Sequence, residues 1–297
     1  MAVSIGIDYA SNTCMKICVA ENTLPVEGRV FGDANALIAF VQQTASLHPE
    51  LALAIMLILP QEPQVAFPQS LSDEELAALS VDASLLNVLT SLKTISQHIE
   101  ILPAVKYLAT IPVHRRLLRP SLGSARTLGI TISLLATMQE QDASWHEMTF
   151  CLLELLDTGY RLVVVKEGQP VDGVGEWLLS LEPAAMLADA LVEQALTEQL
   201  ARELAGLMAI HHIEDVVLLD RCTQREDGRL LKDVMIDYFA DLYQFFLYPQ
   251  SKPELVGFEA ASGAALLAGI ANQSGRIREL AEHLFSSAQT QGLDQHR

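Results

Sequence analysis

Positive charge is what this 297-residue chain has least of: 19 lysines and arginines stand against 37 aspartates and glutamates, for a formal net charge of −18. A nucleic-acid surface needs a basic patch to neutralise phosphates. An anionic membrane attracts basic segments in the same way, so neither is an expected partner. Cysteine is scarce. Cys14, Cys18, Cys151 and Cys222 contain no CxxC pair and no zinc-type spacing, which leaves them as small buried hydrophobes in a reducing compartment. His211 and His212 are adjacent, so on a helix their rings diverge and do not form a metal pair. Long hydrophobic runs are missing as well. Leu51 to Leu59, ended by Pro60, is too short to span a bilayer and reads as a buried strand. No basic region followed by an apolar core opens the chain, so no signal peptide is expected and a cytoplasmic location is.

Half of the residues are hydrophobic, enough to build the core of one large or two medium domains. The chain opens with Val3–Asp8, a strand rich in β-branched residues. A small polar turn follows at Tyr9–Thr13, and then a second strand at Met15–Ala20. Such a turn offers backbone N–H groups and hydroxyls to an anion, and an acid at its edge suits a hydrated Mg²⁺. Glu27–Phe31 reads as a third strand, Asn35–Ser46 as a helix and Leu51–Leu59 as a fourth strand. This β-β-β-α-β order suits a ribonuclease-H-like domain. The layout then returns: strands at Phe150–Leu156 and Arg161–Lys166 flank the turn Asp157-Thr158-Gly159-Tyr160, and Pro170–Gly175 follows. Two such hairpins, one opening each half, indicate a duplicated fold.

Between the halves, Pro60–Pro68 reads as a loop, Ser72–Glu75 as a helix start, Leu85–His98 as a helix and Leu102–Val113 as a strand with its exit. His114–Arg119 is the one concentrated basic run. It is open to two readings, an anion contact or a solvated loop. Arg126–Gln139 follows as a helix. Beyond the second hairpin, Leu178–Ile210 is expected to be helical with a break at Pro183, and Val216–Asp220 is a buried strand. Leu230–Phe246 is expected to be helical, its aromatics serving as core or as an interface, for which a homodimer stays open. Ala260–Gly269 is a small-residue helix, and the tail from Ser286 is polar.

The order Gly6-Ile7-Asp8, small turn, Thr13, Lys16 resembles the first phosphate loop of the superfamily joining acetate kinase, sugar kinases, the heat-shock chaperone ATPase and actin. Further stretches add to it: Arg119 to Ala125, Glu154 to Gly175, and Gly263 to Ala268 with Arg276–Leu284 and Gly292-Leu293-Asp294. Together they resemble the predicted butyrate kinase family of that superfamily. The resemblance implies an α/β protein of two ribonuclease-H-like domains, residues 1–120 and 121–297, with a nucleotide cleft between them. It implies ATP-dependent phosphoryl transfer to a small-molecule acceptor, a short carboxylate, with ATP and Mg²⁺ as cofactors. Asp8 would hold Mg²⁺ through water, Asn12 and Thr13 would face phosphate, and Lys16 would lie near it. Asp157, Thr158 and Gly159 would form the second phosphate loop, with Asp157 catalytic beside Asp8 and Lys16. Asp220, Arg221 and Gly263 would lie near adenosine. The chain departs from the family at three places. Ser121 and Arg126 stand where the family carries acids, Leu155 and Leu156 replace glycines in the second hairpin, and Asp220 replaces a glycine. The departures favour a second reading, a kinase-like protein that binds a ligand or a protein partner without turnover.

Overall fold

The computed structural model describes residues 2–57, 64–70, 72–78, 82–96, 98–157, 159–178, 189–222, 230–249, 252–268 and 275–285. The opening residues form an antiparallel meander of β1 (Val3–Ser11), β2 (Cys14–Glu21) and β3 (Leu24–Phe31), to which β4 (Ala52–Leu57) and β5 (His98–Ile101) add in parallel, in the order β3-β2-β1-β4-β5. The second sheet repeats this plan. β6 (Phe150–Leu156), β7 (Gly159–Lys166) and β8 (Gln169–Leu178) form the meander, and β9 (Asp215–Asp220) and β10 (Gln244–Leu247) add in parallel, in the order β10-β9-β6-β7-β8. The expected duplication is therefore an identity of topology. The central strands β1, β4 and β6 are buried along most of their length, β4 as a continuous apolar run and β1 and β6 with Asp8 and Glu154 as their buried charges.

The helices are α1 (Ala34–Leu47), α2 (Asp73–Ala78), α3 (Ala83–Ile95), α4 (Val113–Leu118), α5 (Ala125–Glu140), α6 (Asp189–His211), α7 (Leu231–Phe239), α8 (Glu259–Leu267) and α9 (Arg276–Phe285). Local chemistry sets several starts. Asp33 accepts the Ala36 N–H at 2.9 Å and Asp82 the Leu85 N–H at 2.8 Å, caps that each contribute about 1 kcal/mol. α1 and α3 bury Leu37, Val41, Val88 and Leu92 against one face of the first sheet. α8 packs on β1 and β2 from the other face, and α5 packs on α8. In the second sheet, Leu196, Leu200, Leu204, Met235 and Phe239 of α6 and α7 cover the face of Leu153, Leu162 and Val164.

Contacts divide the chain into two units, and the division is not a cut at residue 120. One unit is Met1–Thr110, Ser124–Asp142 and Gln250–Arg297; the other is Ile111–Gly123 and Ala143–Pro249. The reason is that α5, α8 and α9 pack together and onto the first sheet although two of them lie late in the chain. Several element expectations also change. β1 continues to Ser11, leaving only Asn12 and Thr13 as the turn. α3 stops at Ile95, and His98 opens β5. The basic run is a short helix, α4, and not a loop. α7 ends at Phe239, and Gln244–Leu247 is a strand, because parallel pairing with β9 outweighs local helical periodicity. The break at Pro183 and the tail from Ser286 lie outside the described residues. No described helix is long and apolar enough to cross a membrane.

Candidate functional site

Asp8 lies on β1, opposite Lys16 of β2 and Met56 of β4, and is 2% exposed. Beside it is Arg126 of α5, whose Nε is 3.5 Å from Asp8 Oδ2. That Nε is itself buried and makes no hydrogen bond, so the contact is a charge pair. Arg126 is one of the positions where an acid was expected. Its guanidinium supplies next to Asp8 the positive charge that a metal would otherwise bring. A carboxylate faced by a fixed cation is a poor Mg²⁺ site, since the second cation is repelled. Among the described residues, no group of three or more His, Cys, Asp or Glu side chains is placed to hold a metal. With Arg126 beside it, Asp8 does not fit a divalent ion bound directly to its carboxylate.

The turn after Asp8 is polar and internally bonded. Tyr9 donates its hydroxyl to Asn12 Oδ1, and the Thr13 N–H donates to Ser11 Oγ at 3.3 Å. The Tyr9 phenol is pushed up by burial and by Asp82, and Ser84 opposes the shift. Lys16 is committed elsewhere in its unit: its Nζ donates to the Gly257 carbonyl at 2.9 Å and lies 5.9 Å from the Phe258 ring centroid. Gly263 is a packing residue. A Cβ there would stand 1.8 Å from the Gly129 carbonyl oxygen of α5.

In the other unit, Asp157 is exposed in the β6–β7 turn, while Thr158 lies outside the described residues. Gly159 packs against β8, where a Cβ would meet the Trp177 carbonyl oxygen at 2.2 Å. Asp220 ends β9 and accepts the Cys222 N–H at 3.0 Å. The Arg221 N–H donates to the Leu155 carbonyl at 2.9 Å, and its Nε is 3.4 Å from Glu154. Asp8, Asn12, Thr13, Lys16 and Gly263 thus belong to one unit, and Asp157, Gly159, Asp220 and Arg221 to the other.

Two buried charge networks were not anticipated. Arg161 donates to Glu154 at 2.6 Å and also to Glu176, and Arg221 completes the cluster. Burial works to lower the Arg161 pKa, and the two carboxylates outweigh it, so the net shift is upward. The signal was present: Glu154 and Arg161 are isolated charges in apolar strands, and hairpin register sets them opposite each other. The second network centres on Asp172 of β8. It accepts from the Gly173 N–H at 2.9 Å, meets His211 Nε2 of α6 at 2.9 Å, and lies 3.3 Å from Arg115 of α4. Arg119 binds Glu203 at 2.6 Å, and Arg116 donates to the Ile111 carbonyl at 3.0 Å. The arginines of the basic run thus have acceptors within their own unit, two of them carboxylates.

Residues 63–197 match the family described as "Protein of unknown function (DUF1464)". No curated protein matches the sequence. Among solved structures, the acetate kinase from Entamoeba histolytica is similar at 9% identity and a TM-score of 0.56, over 87% of this chain and 98% of that one. The ROK hexokinase from Thermus thermophilus is similar at 12% identity and a TM-score of 0.47, over 90% of this chain and 98% of that one. The likeness to the acetate kinase is one of fold: an α/β chain with two five-stranded mixed sheets.

Proposed function

We propose that this chain is a kinase-like protein that receives a nucleotide's phosphates at the Asp8–Arg126 end of the first sheet without a protein-held divalent ion, and binds the nucleotide without turning it over. The observation that carries this is the Arg126 guanidinium 3.5 Å from Asp8. An arginine presents five donors in a planar fork that matches phosphate oxygens, so a cation built into the fold can offset ligand charge in a chain of net charge −18. Phosphoryl transfer further requires that charge be neutralised along the in-line path, and one largely buried arginine already paired with an acid does this poorly.

A second reading is favoured by the retention of Asp8 at the end of β1, next to the hydroxyl-bearing turn Ser11–Thr13. In it the chain is a butyrate-kinase-like phosphotransferase that uses Mg-ATP and a short carboxylate acceptor. Thermal unfolding with ATP in EDTA and in Mg²⁺, alongside ADP release with acetate and butyrate, separates the two. The expected result is an equal rise in midpoint with and without Mg²⁺, reaching about 2.7 kcal/mol of stabilisation at a hundredfold excess over Kd, and no ADP. Arg126→Ala should weaken ATP binding about tenfold or more, the worth of a hydrogen bond between charged groups. Mg²⁺-dependent ADP release would select the phosphotransferase, and an unchanged midpoint at saturating nucleotide would remove both readings.

A further inference from the structure

Each five-stranded sheet has two outer edges, and an open edge is a row of unpaired backbone donors and acceptors. At three of the four edges, a described contact occupies part of the row. On β3, Pro25 has no N–H, and Lys252 Nζ donates to its carbonyl at 2.6 Å. On β5, Gln69 and Ile101 exchange hydrogen bonds at 3.3 and 2.8 Å. On β8, the Gly175 N–H donates to the Ser121 carbonyl at 3.2 Å.

β10 is different. Gln244 donates to Glu214 at 2.9 Å and Tyr248 to Leu218 at 2.8 Å. In a parallel ladder this turns the even-numbered residues toward β9 and aims the N–H and C=O groups of Phe245 and Leu247 outward. Among the described residues, no strand pairs with that outer side. Around it Tyr238, Leu242, Phe246 and Leu247 are exposed. The ten residues from Leu242 to Ser251 carry no charge, in a chain whose net charge is −18.

We propose that the β10 edge pairs antiparallel with the same edge of a second copy of this chain, about a twofold axis at Phe246. Phe245 then exchanges backbone hydrogen bonds with Leu247 of the partner subunit, Phe246 faces Phe246 of the partner subunit, and the two sheets continue into one. The argument for a second copy is twofold. An antiparallel strand pair is self-complementary about a dyad, so each copy's outward donors meet the same strand's acceptors. Two strongly acidic copies also repel overall, and an uncharged window is where they meet without adding local like-charge contacts to that repulsion.

Sedimentation of the full chain should give twice the 32.5 kDa monomer mass. Phe246→Lys sets like charges against each other at the axis and should yield a monomer. Because this side chain is half exposed, the variant should still unfold in one cooperative transition, and its midpoint should no longer rise with protein concentration as that of an associating wild type does, which separates lost pairing from lost folding. Phe246→Cys should form an interchain disulfide on oxidation, since directly opposed residues of a non-hydrogen-bonded pair lie about 4.5 Å apart at Cα. Gln244→Cys, offset from its own copy, should form none above the wild-type background. A wild-type chain that stays monomeric at its highest soluble concentration overturns the proposal. So does a dimer that survives Phe246→Lys, or one in which Phe246→Cys does not cross-link. A monomer that instead takes up an added extended peptide at this edge also overturns it, and assigns the edge to a foreign strand.

Discussion

Gly263→Ala should destabilise the first unit by about 3 kcal/mol or more, at the upper end of overpacking costs, although alanine is ordinarily the better helix former by about 1 kcal/mol. The new Cβ would stand 1.8 Å from the Gly129 carbonyl oxygen and 2.6 Å from its carbon, so two helix backbones would have to part. Neither can move away freely. All nine residues of α8 are buried. On its sheet side, a Cβ at Gly6 would already meet the Ala261 carbonyl oxygen at 2.0 Å and the Ala265 nitrogen at 2.3 Å. The helix is held between β1 and α5 at backbone contact. The control is Gly206, exposed on α6 with nothing within 4 Å of a built Cβ. There the same substitution should stabilise by about 0.5–1 kcal/mol. Urea midpoints at unchanged m-value read both effects. A Gly263→Ala midpoint equal to wild type would mean that α5 and α8 do not touch as described.

Asp172→Ala should cost about 3–5 kcal/mol, because it leaves a buried cation without its partner. Asp172 is 1% exposed and gathers His211, Arg115 and the Gly173 N–H from three elements of one unit. Burial by itself pushes its carboxyl up. The hydrogen bonds from His211 and Gly173 and the Arg115 charge outweigh burial and hold it below its ordinary value of 3.8. The sign of the pH dependence follows. A carboxylate with a depressed folded pKa contributes stability that is fully present above the unfolded value and is lost as pH falls through the folded one. The stability gap between wild type and Asp172→Asn should therefore be constant near neutrality and shrink as pH drops below about 4. Urea midpoints taken between pH 7 and 3 measure that gap. A gap of the same size at both ends would show that the paired carboxylate is not the source of the stability.

Much of the fold was legible in the chain because it depends on local patterns. Val3–Asp8, Leu51–Leu57 and Phe150–Leu156 announce buried central strands by composition, and the two meanders announce the repeat. The errors fall where distant partners decide. Tyr243–Leu247 has aromatic residues compatible with either period, and β9 recruits it as a strand. The basic run looked outward, toward a solvent or ligand anion. Its arginines turn inward to Asp172 and Glu203, residues 57 and 84 positions away from Arg115 and Arg119, a distance no window of sequence spans.

The amino-acid sequence by itself determined the class of protein, an acidic α/β chain built from two copies of one strand plan, because hydrophobic periodicity and turn chemistry act over a few residues. Only the tertiary structure decided which charges meet. Arg126 comes to Asp8, Arg115 and His211 come to Asp172, and Gly263 comes to Gly129 through chain closures of 39 to 134 residues. An ion pair or a backbone contact is a property of two positions in space. The energy that makes Asp8 a partner of an arginine exists only once α5 has packed beside β1.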